Sequence, residues 1–188
     1  MTTDTPRIVA DVANASWLPD GGRAQVVAGG APRAPMCLVR LLLRCDDHVF
    51  CVTRDDGTGR LDIPTRLVLP ADPHGERTIR LLQELIAGDS AEPEYLGSVR
   101  NTVVEPGTEY PWPTPDAFFG VWESSAAPVV EGEWVDVAAI DSPLRDRHWF
   151  PLLKATESPA RHSSAWMSRT SDSSGACSNG NPIETSSL

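Results

Sequence analysis

The chain predicts an α/β fold, and three observations carry that reading. One helix is signalled at both ends near the middle of the sequence, strand-like runs stand on both sides of it, and turn-forming clusters separate the runs. The helix falls within residues 73–88. Asp72 suits its N-cap, Pro73 its first position, where an amide hydrogen would lack a partner anyway, and Gly88 the point where the chain leaves. Between them Ile79, Leu82 and Ile86 recur at helical spacing, and Glu76 can pair with Arg80 one turn on.

Taken in order, residues 7–12 and 25–28 read as short strands around the turn at 18–22, forming a peripheral hairpin or an N-terminal strand that joins the main sheet. Residues 29–35 are a connector. Residues 36–44 are a near-continuous apolar run, the pattern of a strand buried on both faces, and a tight turn leads to a second strand at 49–54. An Asp/Gly turn at 55–59 opens a short strand at 60–63, and a loop of about ten residues runs to the helix. Beyond a linker at 91–93, residues 94–104 form a strand or a pair of short ones. Pro106, Pro111, Pro113 and Pro115 then make a stiff surface loop, since prolines so dense fit neither helix nor sheet. Residues 117–124 alternate like a central strand and 131–137 like another. A closing helix is expected within 140–153, with Ser142 as cap and Pro143 as first residue.

The chain thus divides into an N-terminal extension with short strands at 1–34, a domain at 35–155, and a serine-rich tail at 156–188 whose composition predicts disorder. At 188 residues with 40% hydrophobic and 22% charged residues, there is enough chain for a real core. The formal net charge of −10 argues against nucleic acid or an anionic membrane surface as the main partner, while leaving room for a local positive pocket. Nothing approaches the roughly 20 apolar residues of a membrane span, and no charged stretch leads into an apolar run at the start, so the expected location is cytoplasmic. Cys37, Cys45, Cys51 and Cys177 lack metal-ligand spacing and read as buried, reduced thiols, with Cys45 and Cys51 able to face each other across a hairpin.

Around the helix the sequence resembles the Nudix hydrolase family, in which a Pro-Gly-Gly turn is followed by a Glu and by a helix carrying Arg-Glu-hydrophobic-x-Glu-Glu-x-Gly-hydrophobic. Laid on without a gap, the turn proline falls on Pro64, the intervening acid on Asp72, the arginine on Arg80, the hydrophobic on Leu82 and one glutamate on Glu84. Thr65 and Arg66 replace the two glycines, and Leu81 and Leu85 replace the other two helix glutamates. The resemblance implies a Nudix-type α/β/α sandwich with a mixed, largely antiparallel sheet. It also implies Mg2+-dependent hydrolysis of a nucleoside diphosphate linked to another group, with Pro64, Asp72 and Arg80 as scaffold positions. Residues 81, 84 and 85 share one helix face, which in the family holds the metal. Magnesium wants carboxylate and phosphate oxygens around it, and here only Glu84 supplies one.

Three functions follow as expectations. The first is a Nudix-like protein that binds a small phosphorylated or nucleotide-like ligand, with hydrolysis weak or lost. Arginine forks at Arg66 and Arg60 would hold phosphate without a metal, and Trp112 and Tyr110 of the proline-rich loop would stack a planar group. The second is an active hydrolase in which Glu84, as catalytic residue and Mg2+ ligand, is joined by Glu123, Glu131 or Glu133. The third is a protein-interaction module using the Trp112 loop. Scattered histidines and the lack of a Gly-x-Ser-x-Gly elbow, a P-loop or a dinucleotide fingerprint leave nucleophilic and nucleotide-triphosphatase chemistry without support.

Overall fold

The structure is a computed structural model that describes residues 5–54, 57–88 and 92–156. The expected tail beyond Thr156, and parts of the turn at 55–59 and the linker at 91–93, lie outside the described residues. The chain up to Ser158 is one compact unit. It is an α/β fold. Its strands are β1 (Arg7–Ala13), β2 (Arg23–Ala28), β3 (Met36–Cys45), β4 (His48–Thr53), β5 (Leu61–Asp62), β6 (Thr65–Leu67), β7 (Glu94–Thr102), β8 (Asp116–Ser124) and β9 (Glu133–Asp136). The helices are α1 (Glu76–Ala87) and α2 (Pro151–Thr156).

The strands form one mixed sheet in the order β1-β2-β7-β8-β3-β4-β5, with β6 joined to β3 and β9 to β4. Only β3 and β8 run parallel among the described pairs; the rest are antiparallel. Because β2 pairs with β7 from Arg23 to Ala28, the N-terminal hairpin is built into the sheet rather than appended to it. No described helix is long and apolar enough to cross a membrane.

Alternation along β3 divides the core between two faces. Val39, Leu41 and Leu43 meet Phe118 and Trp122 of β8 and the stripe Ile79, Leu82 and Ile86 of α1. Each of those three helix side chains contributes about 1.5–3 kcal/mol by leaving water. On the other face Leu42 packs with Val99, Phe119 and Val121 under Trp149, Leu152 and Leu153 at the end of the chain. The residues of β3 that point to this second face are therefore Leu38, Arg40 and Leu42. Two are apolar and one is charged.

The start of α1 corrects the sequence reading. The helix begins at Glu76, preceded by Gly75 in the left-handed region at φ 76°. Pro73 lies in a turn closed by the Gly75 amide on the Asp72 carbonyl. Asp72 still serves the helix end, but from across that turn: its Oδ2 accepts the Thr78 amide at 2.7 Å and the Thr78 hydroxyl at 2.6 Å. Oδ2 is thus committed to Thr78, and Arg80 instead donates to Glu92 Oε1 at 2.9 Å on the surface. Neither the Asp72–Arg80 scaffold pair nor the Glu76–Arg80 pair forms. Gly88 does close the helix, its amide reaching the Glu84 carbonyl.

Further expectations change. Three residues of the loop before α1 form β6, too short for a sequence pattern, because the Leu67, Arg66 and Thr65 backbone finds an open edge on β3 at Leu38, Val39 and Arg40. The closing helix occupies only Pro151–Thr156, while the segment before it descends in single turns, with amide–carbonyl bonds of the i+3 type from Ser142 to Arg145 and from Leu144 to Arg147. Cys37 and Cys51 are buried free thiols as expected, whereas Cys45 is disulfide-bonded rather than reduced, and not to Cys51.

Candidate functional site

The second face of the sheet is not closed over its whole length. Above Leu38 and Arg40 of β3, Phe119 of β8, and Val99 and Asn101 of β7 lies a cavity of about 330 Å³. Its walls come from distant parts of the chain: Trp17 and Leu18 between β1 and β2, Arg54 after β4, Asp62 of β5, Tyr110 to Trp112 of the proline-rich loop, and Asp146 to Trp149. The size is at the lower end for small-molecule sites, and a few convergent polar groups among aromatic side chains are their usual lining.

Arg40 is the most telling of these groups. Its Nε and Nη1 are buried and have no hydrogen-bond partner. Burial pushes its pKa down to about 10; the nearby Asp62 carboxylate works against this, while the Arg54 and Arg147 guanidiniums add to it. Asp62 is the counter-charge of the cluster. Its Oδ1 accepts the Ile63 amide at 2.9 Å and Trp149 Nε1 at 3.0 Å, which leaves Oδ2 facing Arg147 Nε at 3.7 Å and Arg54 Nη1 at 3.9 Å. Those separations are ion-pair distances rather than hydrogen bonds. Arg147 also donates through Nη2 to the Leu61 carbonyl, which pins it to β5. Three guanidiniums thus converge on one carboxylate inside a protein of strongly negative charge.

Aromatic groups complete the cavity. Trp17 lies parallel to His148, with ring centroids 3.9 Å apart and 17° between planes. Burial lowers the His148 pKa, and Arg40 adds to the effect. Trp112 stands edge-on to Phe119 at 5.2 Å and 89°, which folds the proline-rich loop back onto the sheet. Tyr110 lines the same space.

The sequence-predicted site residues are dispersed by this arrangement. Tyr110 and Trp112 line the cavity. Arg66 does not: it pairs with Val39, whose side chain faces α1, so it sits on the face opposite Arg40. Arg60 is exposed ahead of β5 and does not reach the cavity. Glu84 is exposed on α1, with Leu81 half-buried beside it and Leu85 60% exposed. Glu131 and Glu133 are exposed near β9, and Glu123 is half-buried on β8. Among the described residues no group of three or more His, Cys, Asp or Glu side chains is placed to hold a metal ion. The α1 face that would carry magnesium thus offers one acid and two leucines, which do not fit the ion. Pro64 is buried, and its carbonyl accepts the Leu41 amide at 2.9 Å.

Arg40, Arg54, Asp62 and Arg147 were not singled out from sequence. One signal was there: Arg40 interrupts the run Met36 to Leu43, where a charge has no place unless something answers it. No protein-family model matches the sequence, and no curated protein matches it.

Proposed function

We propose that this chain binds a small phosphorylated, nucleotide-like ligand in the cavity over Arg40, on a Nudix-like scaffold whose diphosphate hydrolysis is weak or lost. The observation that carries the reading is the convergence of Arg40, Arg54 and Arg147 on the lining of one aromatic-walled cavity, with two Arg40 nitrogens that no hydrogen-bond partner answers. A buried charged donor without a partner is costly, and a ligand oxygen drawn to the same guanidinium would offset part of that cost. A phosphate oxygen pair matches the fork of a guanidinium, and Arg54 and Arg147 supply further positive charge around it. The aromatic side chains at the other end suit a planar group. Binding by arginine needs no divalent ion, which agrees with the loss of acids along α1.

The test is calorimetric titration of AMP, UMP, ADP and UDP in the presence of EDTA, with wild type and Arg40→Met. Binding that survives chelation and weakens at least about 30-fold in the variant is the expected result, since removing one partner of a buried charge pair costs about 2 kcal/mol or more. Absence of binding, binding indifferent to Arg40, or magnesium-dependent release of a phosphorylated product would each overturn the proposal.

A further inference from the structure

We infer that the chain has a second binding site, on the face of the sheet that packs against α1, which takes a small carboxylic acid as its anion through Arg33. The inference does not rest on the nucleotide reading. The pocket holds about 300 Å³ and shares no lining residue with the cavity over Arg40. Ala34 and Pro35 of the connector before β3 wall it, together with Thr114 and Pro115 of the loop before β8. Strand register fixes the side. Arg100 stands opposite Phe118 and Thr102 opposite Asp116 on adjacent antiparallel strands, so these four side chains share one face. Phe118 packs with Met36, Val39 and Trp122 in the cluster that α1 covers, which identifies that face.

Two guanidiniums and one carboxylate line the pocket. Arg100 is committed: its Nε donates to Asp116 Oδ1 at 2.9 Å and its Nη2 to Oδ2 at 2.8 Å, a bidentate pair that the Thr102 hydroxyl joins at 2.8 Å. The bond from Arg100 outweighs burial and, with Thr102, holds the Asp116 carboxyl below its ordinary range; the Arg33 charge adds to this from a distance. Arg33 is placed differently. Its guanidinium carbon lies 5.7 Å from the centre of the Phe118 ring, a cation–π contact, and among the described residues nothing accepts a hydrogen bond from it or forms an ion pair with it. The residue is exposed, so a solute can reach it. One positive charge in the pocket is therefore surplus. A singly charged anion balances it, whereas a dianionic phosphate would set a second negative charge near Asp116. A carboxylate matches the fork of Arg33, and the Thr114 hydroxyl, also without a partner among the described residues, is a further donor on the same lining. Pro35 and Pro115 offer apolar surface to a ring or a branched chain behind the carboxylate.

The experiment titrates sodium benzoate, and benzamide as its neutral counterpart, into the isotope-labelled full chain and follows backbone amides by NMR in wild type, Arg33→Gln, Thr114→Val and Arg40→Met. Arg33 and Thr114 are both exposed, so their variants are expected to fold. Benzoate should give saturable shifts at the amides of Arg33, Ala34, Thr114 and Asp116, and benzamide should not. Arg33→Gln should weaken benzoate by about 10-fold or more, as expected for losing a hydrogen bond between charged groups, Thr114→Val by less, and Arg40→Met not at all. Lack of saturable shifts at these amides overturns the inference, as does an equal response to benzamide or an affinity unchanged in Arg33→Gln. Shifts confined to Arg54, Asp62 and His148 and lost in Arg40→Met also overturn it, because the anion would then occupy the cavity on the other face. Failure at Arg33 leaves the Arg40 site standing, since the two share no residue.

Discussion

Replacing Arg40 by methionine should make the protein more stable while abolishing the proposed nucleotide binding. In the ligand-free fold the Arg40 Nε and Nη1 have given up water without gaining a partner. Each such group costs about 1–3 kcal/mol. The depression of its pKa to about 10 expresses the same cost by another route. Each tenfold change in proton affinity is worth about 1.4 kcal/mol, which puts the penalty on the charged form at about 3 kcal/mol. The sign follows from proton binding. The folded protein holds this proton less tightly than the unfolded chain, so the penalty is complete below about pH 10 and is relieved only as pH rises through that value. A neutral-pH experiment therefore sees all of it. Methionine has similar length and sits between Leu38 and Leu42, so no cavity opens in the sheet. We expect a net gain of about 1–3 kcal/mol in urea unfolding at pH 7, equivalent to roughly 3–8 °C in Tm. A loss of more than about 1 kcal/mol would refute the reasoning, since it would mean that the fold itself answers Arg40.

Other expectations bear on the scaffold and the metal. Asp72→Ala should cost about 1–2 kcal/mol by releasing the Thr78 amide and hydroxyl, measured by urea unfolding. Burial raises the Asp72 pKa, but hydrogen bonds from the Thr78 hydroxyl and neighbouring amides outweigh it. The carboxyl therefore ends below its usual range, and its contribution should be present above about pH 4 and fade as pH falls through the folded value. Gly75→Ala should cost about 1–3 kcal/mol, because φ is 76° and a new Cβ would lie 2.7 Å from Val39 Cγ1; a Tm shift reads this directly. Leu85→Glu should change stability by less than about 0.5 kcal/mol, as the side chain is mostly in water. Excess magnesium should weaken ADP or UDP binding relative to EDTA in calorimetry, because the ion competes with the arginines for the same phosphate oxygens.

The elements that sequence made legible are those whose signal is local and repeated. The stripe Ile79, Leu82 and Ile86 does face the sheet, β3 is buried on both sides, and β8 is central. What was illegible depended on short or non-adjacent contacts. Asp72 reaches Thr78 across a turn that an adjacent-cap rule does not anticipate, and β6 exists because β3 offers it an edge. The same holds for the site. Tyr110 and Trp112 are conspicuous among prolines and do line the cavity, whereas Arg66, close to the helix in sequence, is carried by strand register to the opposite face of the sheet. Arg54, Asp62 and Arg147 meet only because β5 pairs with β4 and the segment before α2 returns over β5. No spacing in the chain announces that.

The most direct measurement is a crystal of the full chain soaked with UMP or AMP in EDTA. The account predicts phosphate oxygens within hydrogen-bonding distance of the guanidiniums of Arg40, Arg54 or Arg147, with the ring at the Tyr110 and Trp112 end. Phosphate bound elsewhere, above all on the α1 face beside Glu84, with Arg40 still unanswered, would contradict it.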